Sequence, residues 1–179
     1  MRKELCQDFQ KFVESLKEAG KMMVDTHYFQ LPVADEESPV FRERVYCYEL
    51  YHNLRNDLGD AFPYKLDGEV DKTGHPIIPG KKKPDFIVHV PGEMDHNLVV
   101  IEVKPVTVND DDLECDLEKL VWLLTHGNYF RAIMLIYGDG KSQLPNRIKS
   151  KVANFRKKWE DRILLAWHKG SEEEIRIIV

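Results

Sequence analysis

The chain has 179 residues, 42% of them apolar and 32% charged, with a formal net charge of −5. That length suits one domain able to bury a substantial core, and the ordinary composition excludes a disordered or low-complexity chain. The acidic balance excludes the strongly basic class that coats nucleic acid through charge alone, although a local basic patch is compatible with it. No apolar run is long enough to cross a bilayer, and Met1-Arg2-Lys3-Glu4-Leu5-Cys6 lacks the apolar stretch of a signal peptide, so a cytoplasmic location is expected. Cys6, Cys47 and Cys115 are odd in number and never at CxxC spacing, which predicts buried thiols rather than disulfides or a zinc site. The histidines show no metal-ligand spacing, and P-loop, GxGxxG, HExxH and GxSxG motifs are absent.

In chain order, Leu5, Phe9, Phe12, Val13 and Leu16 recur at helical spacing and predict an amphipathic helix over 3–24. Residues 25–39, with two prolines and an acidic stretch, read as a connection or an irregular lid. Ser38 and Pro39 suit the N-cap and first position of a second helix over about 39–60. Its apolar stripe is Phe41, Val45, Tyr48, Tyr51, Leu54 and Leu58, with Glu49, His52 or Asn53, and Asn56 along the edge. Alternating apolar and polar residues over 64–71 predict a half-exposed strand, followed by a Gly- and Pro-containing loop over 72–83. Lys81, Lys82 and Lys83 close that loop, either as a phosphate-contacting tip or as a solvated charge run.

Two β-branched runs follow, Phe86 to Val90 and Leu98 to Val103, separated by a turn composition over 91–97, and together they read as an antiparallel hairpin. Alternation puts Leu98, Val100, Glu102 and Lys104 on one face and Val99, Ile101 and Val103 on the other. The hairpin brings Asp85 beside Glu102, so two carboxylates and the Lys104 amine converge. Hard divalent cations such as Mg²⁺ are often held by one or two carboxylates, waters and substrate phosphate oxygens. Asp85 and Glu102 suit that role, and Lys104 is placed to hold or polarise an attacking water.

Beyond the hairpin, Asp110, Asp111 and Asp112 suit a helix start, and Leu113, Leu117, Leu120, Val121 and Leu124 continue that helix to about His126. Asp116 and Lys119, three apart, occupy a neighbouring face. Residues 131–137 read as a buried strand. A helix over about 145–160 buries Ile148, Val152, Phe155 and Trp159 and exposes Arg147, Lys149, Lys151, Arg156, Lys157 and Lys158, either as a nucleic-acid contact or as a solvated face. Residues 163–168 and 175–179 finish as a hairpin extending the sheet.

Pro84-Asp85 followed by Glu102-Val103-Lys104 resembles the PD-(D/E)xK motif of the restriction-endonuclease-like nuclease superfamily, over roughly residues 39–137. The resemblance implies an α/β fold: an αβββαβ core with a mixed central sheet flanked by helices, a site at one end of that sheet, and Mg²⁺-dependent phosphodiester cleavage, with Mn²⁺ as an alternative cation. It also implies a further carboxylate from the helix before the sheet. Glu49 matches, as an outer metal ligand, although a solvated glutamate pairing with Arg55 explains it nearly as well. Asp116 and Lys119 are secondary site or nucleic-acid-contact candidates, with a surface ion pair as the plain alternative. The expected organisation is a single nuclease-like domain over 1–179, with an N-terminal helix and connection over 1–38 and a C-terminal extension over 138–179. The expected activity is a metal-dependent nuclease acting on nucleic acid, DNA in preference to RNA. The alternative is a non-catalytic or regulatory nucleic-acid- or protein-binding module on the same fold. A homodimer or a larger complex is compatible with either.

Overall fold

The computed structural model describes residues 2–35, 37–69, 83–138, 140–159 and 162–179. They form an α/β structure: one open, mixed sheet of six strands in sequential order, with four α-helices among the described residues. The strands are β1 (Lys65–Gly68), β2 (Phe86–His89), β3 (Asn97–Pro105), β4 (Arg131–Tyr137), β5 (Ile163–His168) and β6 (Arg176–Ile177). The helices are α1 (Arg2–Lys21), α2 (Glu43–Leu58), α3 (Asp110–His126) and α4 (Asn146–Lys158). β1, β2 and β3 form an antiparallel meander, β3, β4 and β5 run parallel, and β6 returns antiparallel to β5. The two parallel steps are the ones bridged by α3 and α4, since a parallel neighbour requires a crossover.

Alternation along β3 explains the layers. Val99, Ile101 and Val103 meet Phe12 and Leu16 of α1 and Leu50 of α2 in one core. Val100 meets Leu113, Leu117 and Leu120 of α3 in the other, which continues to Ile148 and Val152 of α4. β3 is therefore buried from Asn97 through Val103 on both faces, and its burial relaxes only at Lys104 and Pro105. A strand covered on both sides reads as a continuous apolar run, which makes a charge inside it conspicuous.

Several boundaries differ from the sequence expectation for local reasons. α2 starts at Glu43 instead of near Pro39, because Leu31 and Val40 exchange backbone hydrogen bonds of 2.8 and 3.0 Å in an isolated bridge that holds residue 40 extended. The 25–39 connection contains a short 3-10 turn, Thr26–Tyr28, whose cap Asp25 accepts from the His27 amide. α3 is capped by Asn109, whose side chain accepts from the Asp112 amide at 2.8 Å, and its first turn carries the three aspartates, as the dipole favours. α2 ends at Gly59, whose φ of 64° is a left-handed conformation that glycine adopts without strain. Of the cysteines only Cys47 is buried; Cys6 and Cys115 are exposed.

The basic surface expected on α4 is partly consumed inside the fold. Arg147 donates to Asp110 at 2.6 Å and to the Val108 carbonyl, and Lys151 donates to Glu114 at 2.7 Å, so these side chains tie α4 to the start of α3. Lys149, Lys157 and Lys158 stay exposed. Most of the expected 72–83 loop, including Lys81 and Lys82, lies outside the described residues. Among the described residues no helix is long and apolar enough to cross a membrane.

Candidate functional site

The hairpin register builds the site. Phe86 pairs with Ile101, Ile87 with Val100 and Val88 with Val99, so Asp85, one residue before β2, falls opposite Glu102. Its carboxylate is fixed there: Asp85 Oδ2 accepts from the Val103 amide at 2.7 Å. Glu102 and Lys104 emerge from β3 on the face covered by α3, where Asp116 and Lys119, one turn apart, project toward them.

Five side chains from three elements then alternate in charge. Glu43 of α2 accepts from Lys104 Nζ at 2.8 Å, and Lys104 lies 3.2 Å from Asp116 Oδ2. Asp116 Oδ1 is 2.9 Å from Lys119 Nζ, and Lys119 donates to Glu102 Oε2 at 2.7 Å. Lys119 also donates to the Lys83 carbonyl at 3.4 Å. Glu102 is only 1% exposed, and its second oxygen, Oε1, is buried without a hydrogen-bond partner. An acceptor in that position costs free energy unless something cationic or hydrogen-bonding meets it.

Burial sets the proton affinities. It pushes the Asp85 carboxyl up to about 6, against the Val103 amide, which favours the ionised form. Glu102 is pushed well above the ordinary carboxylate range, first by burial and then by the Asp85 charge, with Lys119 pulling the other way. For Lys104, burial alone would release the proton, but the Glu43 hydrogen bond and the charges of Asp116, Glu43 and Asp85 outweigh it and hold the ammonium above its usual value. Lys119 is likewise raised, its burial outweighed chiefly by Glu102 and Asp116. Two acids inclined to keep protons thus stand beside two amines inclined to keep theirs.

Asp85 opens onto solvent through two clefts that share Asp85, Cys47, Tyr48 and Glu69. The larger, about 610 Å³, is bounded further by Arg42, Glu43 and Lys83. The smaller, about 390 Å³, reaches Tyr51, Asp67 and Gly68 on the β1 side.

Asp85, Glu102 and Lys104 are thus brought together, with the secondary candidates Asp116 and Lys119 between them. Lys83 is exposed and borders the larger cleft. Glu49 is placed elsewhere. Its Oε1 accepts from Asn53 at 3.2 Å, and its charge raises the Tyr28 phenol. The reason is helical phase: the side of α2 turned to the sheet carries Tyr46, Cys47, Leu50 and Leu54, whereas Tyr48 is 63% exposed. Glu43 stands one turn before Cys47 on that side and is the α2 carboxylate that joins the site. Its signal in the sequence is the spacing 43, 47, 50, 54. His52 pairs with Asn56 at 3.1 Å, and His89 with Asp67 at 2.8 Å on the sheet edge; neither contacts the charged group.

Among the described residues, no three or more His, Cys, Asp and Glu side chains form a group that could hold a metal ion. The residues present fit a more open arrangement, in which two carboxylates share a hard cation completed by water and substrate oxygens. The buried, unpartnered Glu102 Oε1 is the observation that favours such a cation. No protein-family model matches the chain, and no curated protein sequence matches it.

Proposed function

We propose that the chain is a metal-dependent nuclease of the restriction-endonuclease-like class, cleaving phosphodiester bonds at the Asp85–Glu102 end of the sheet. The order α2, β1, β2, β3, α3, β4 agrees with the αβββαβ core that the motif implies. The observation that carries the reading is the convergence of Asp85, Glu102 and Lys104, with Glu102 Oε1 buried and unpartnered. Asp85 and Glu102 would hold Mg²⁺ or Mn²⁺. Such a cation, when bound, lowers the pKa of water and offsets charge on phosphoryl oxygens.

The two lysines divide the remaining work. An ammonium has three donors. Lys119 directs its donors to Glu102, Asp116 and the Lys83 carbonyl, so its task is to hold Glu102 in place. Lys104 meets Glu43 and Asp116, which leaves one donor for the attacking water or a phosphate oxygen. Glu43 and Asp116 fix the Lys104 amine and keep it charged, which suits an electrostatic and orienting role better than a general base.

A panel of single- and double-stranded DNA and RNA, incubated with Mg²⁺, Mn²⁺ or EDTA, tests the proposal. Wild type is expected to cut at least one substrate with either cation, and Lys104→Ala is expected to lose most of that activity. Cleavage that survives EDTA, or equal cutting by Lys104→Ala, would assign the reaction to another site or a contaminant.

A further inference from the structure

The side of α2 that faces away from the core supplies a feature that phosphodiester cleavage alone does not require. Tyr48 is the aromatic among the large apolar side chains most exposed in the described residues, at 63%, and it borders both clefts that meet at Asp85. One turn further along, Tyr51 is held firmly: its hydroxyl donates to the Leu66 carbonyl at 3.1 Å and its ring stacks on Phe86 with centroids 6.3 Å apart. Across from them, Gly68 adds no side chain to the smaller cleft. The result is a concave site with an exposed aromatic side chain on its lining. The larger cleft carries the cationic side chains Arg42, Arg44 and Lys83 on its lining.

We infer that Tyr48 is a stacking platform for an unpaired nucleobase, and that the preferred substrate of this site is single-stranded nucleic acid or a nucleotide extruded from a duplex. The inference rests on the nuclease reading above and adds a subsite to it. The chemistry is general: every base has a π face, so one exposed ring recognises an unstacked base without regard to sequence, and neighbouring cations take the backbone. A base lying on Tyr48 while its phosphate reaches Asp85 in the same cleft has left the helical stack, which is why a continuous duplex is disfavoured. The cleft volumes, about 610 and 390 Å³, fall within the usual range for small-ligand sites, whereas a protein partner needs a broad contact area.

Single-stranded oligonucleotides carrying 2-aminopurine, and duplexes of the same sequence, provide the test, with binding measured in EDTA by anisotropy and by quenching of the base analogue. Wild type is expected to quench the analogue and to prefer the single strand. Tyr48→Phe retains the ring and should bind within about twofold of wild type, whereas Tyr48→Ala should weaken binding about tenfold or more, with an unchanged circular dichroism spectrum. Equal binding by Tyr48→Ala, or a duplex bound as tightly as the single strand, overturns the stacking subsite. Cleavage in Mn²⁺, measured on the same samples, separates the two ideas. A protein that cuts regardless of Tyr48 refutes the subsite alone, and one that neither binds nor cuts refutes both.

Discussion

Asp85→Asn is expected to lower metal-dependent turnover by about a thousandfold or more and, at the same time, to make the cation-free protein more stable. The first effect follows from removing one of two carboxylates that would hold the cation. The second follows from burial, which raises the Asp85 carboxyl from its ordinary 3.8 to about 6. A folded-state value above the unfolded one means that the folded protein binds the proton more tightly. The stability contributed is then complete below about 3.8, is lost as the pH rises toward about 6, and is replaced above that by the cost of an ionised, buried carboxylate, in all about 3 kcal/mol. Asparagine cannot ionise, and its amide oxygen still accepts from the Val103 N–H. Melting temperatures in EDTA should therefore be higher for Asp85→Asn than for wild type at pH 8, with the difference shrinking toward pH 4. Identical melting curves across that range would mean that Asp85 is well solvated and that the site is not preloaded with unfavourable charge.

Lys119→Met is expected to destabilise the protein by up to about 3–5 kcal/mol at high pH, where Glu102 is left ionised as one half of a buried ion pair. The loss is smaller as the pH falls and Glu102 takes up a proton instead. Glu102 would lose the ammonium 2.7 Å from Oε2 while its other oxygen already lacks a partner and Asp85 and Asp116 repel it. The methionine fills comparable volume, so the penalty is electrostatic and not a cavity. Pairing it with Glu102→Gln removes the stranded charge and should restore most of the loss, which denaturant titration of the four proteins in a double-mutant cycle would reveal. If the double variant is as unstable as the sum of its parts, Lys119 contributes through packing alone. Lys104→Met should be milder, because Lys104 and its partner Glu43 are less deeply buried than Glu102.

How much of this was legible depended on how local the signal is. The hairpin and the meeting of Asp85 with Glu102 follow from two β-branched runs with a turn composition between them, whereas the irregularity in the pairing between Val88 and His89 has no such signal. The phase of α2 was not legible. Phe41, Val45, Tyr48, Tyr51, Leu54 and Leu58 form one plausible apolar stripe, Tyr46, Leu50 and Leu54 another that shares Leu54, and nothing within the helix chooses between them. The choice is made by distant partners. The Tyr46 ring stacks on Tyr137 with centroids 4.1 Å apart, and its hydroxyl hydrogen-bonds His168 Nδ1 at 2.7 Å, contacts supplied by β4 and β5. That rotation substitutes Glu43 for Glu49 beside Lys104 and turns Tyr48 outward into the clefts. The ladder through Asp116 and Lys119 was half legible. Their spacing showed a shared helix face, but a surface pair and a buried bridge look alike until the helix is docked on the strand.

Cation binding measured directly, by calorimetric titration of Mn²⁺ into the metal-free protein at pH 8, addresses the central claim that Asp85 and Glu102 share a divalent ion. Wild type and Glu49→Gln are expected to bind Mn²⁺ alike, and Asp85→Asn and Glu102→Gln each to lose that binding while remaining folded. Undiminished binding in either of the latter two, or no binding by wild type, would contradict it.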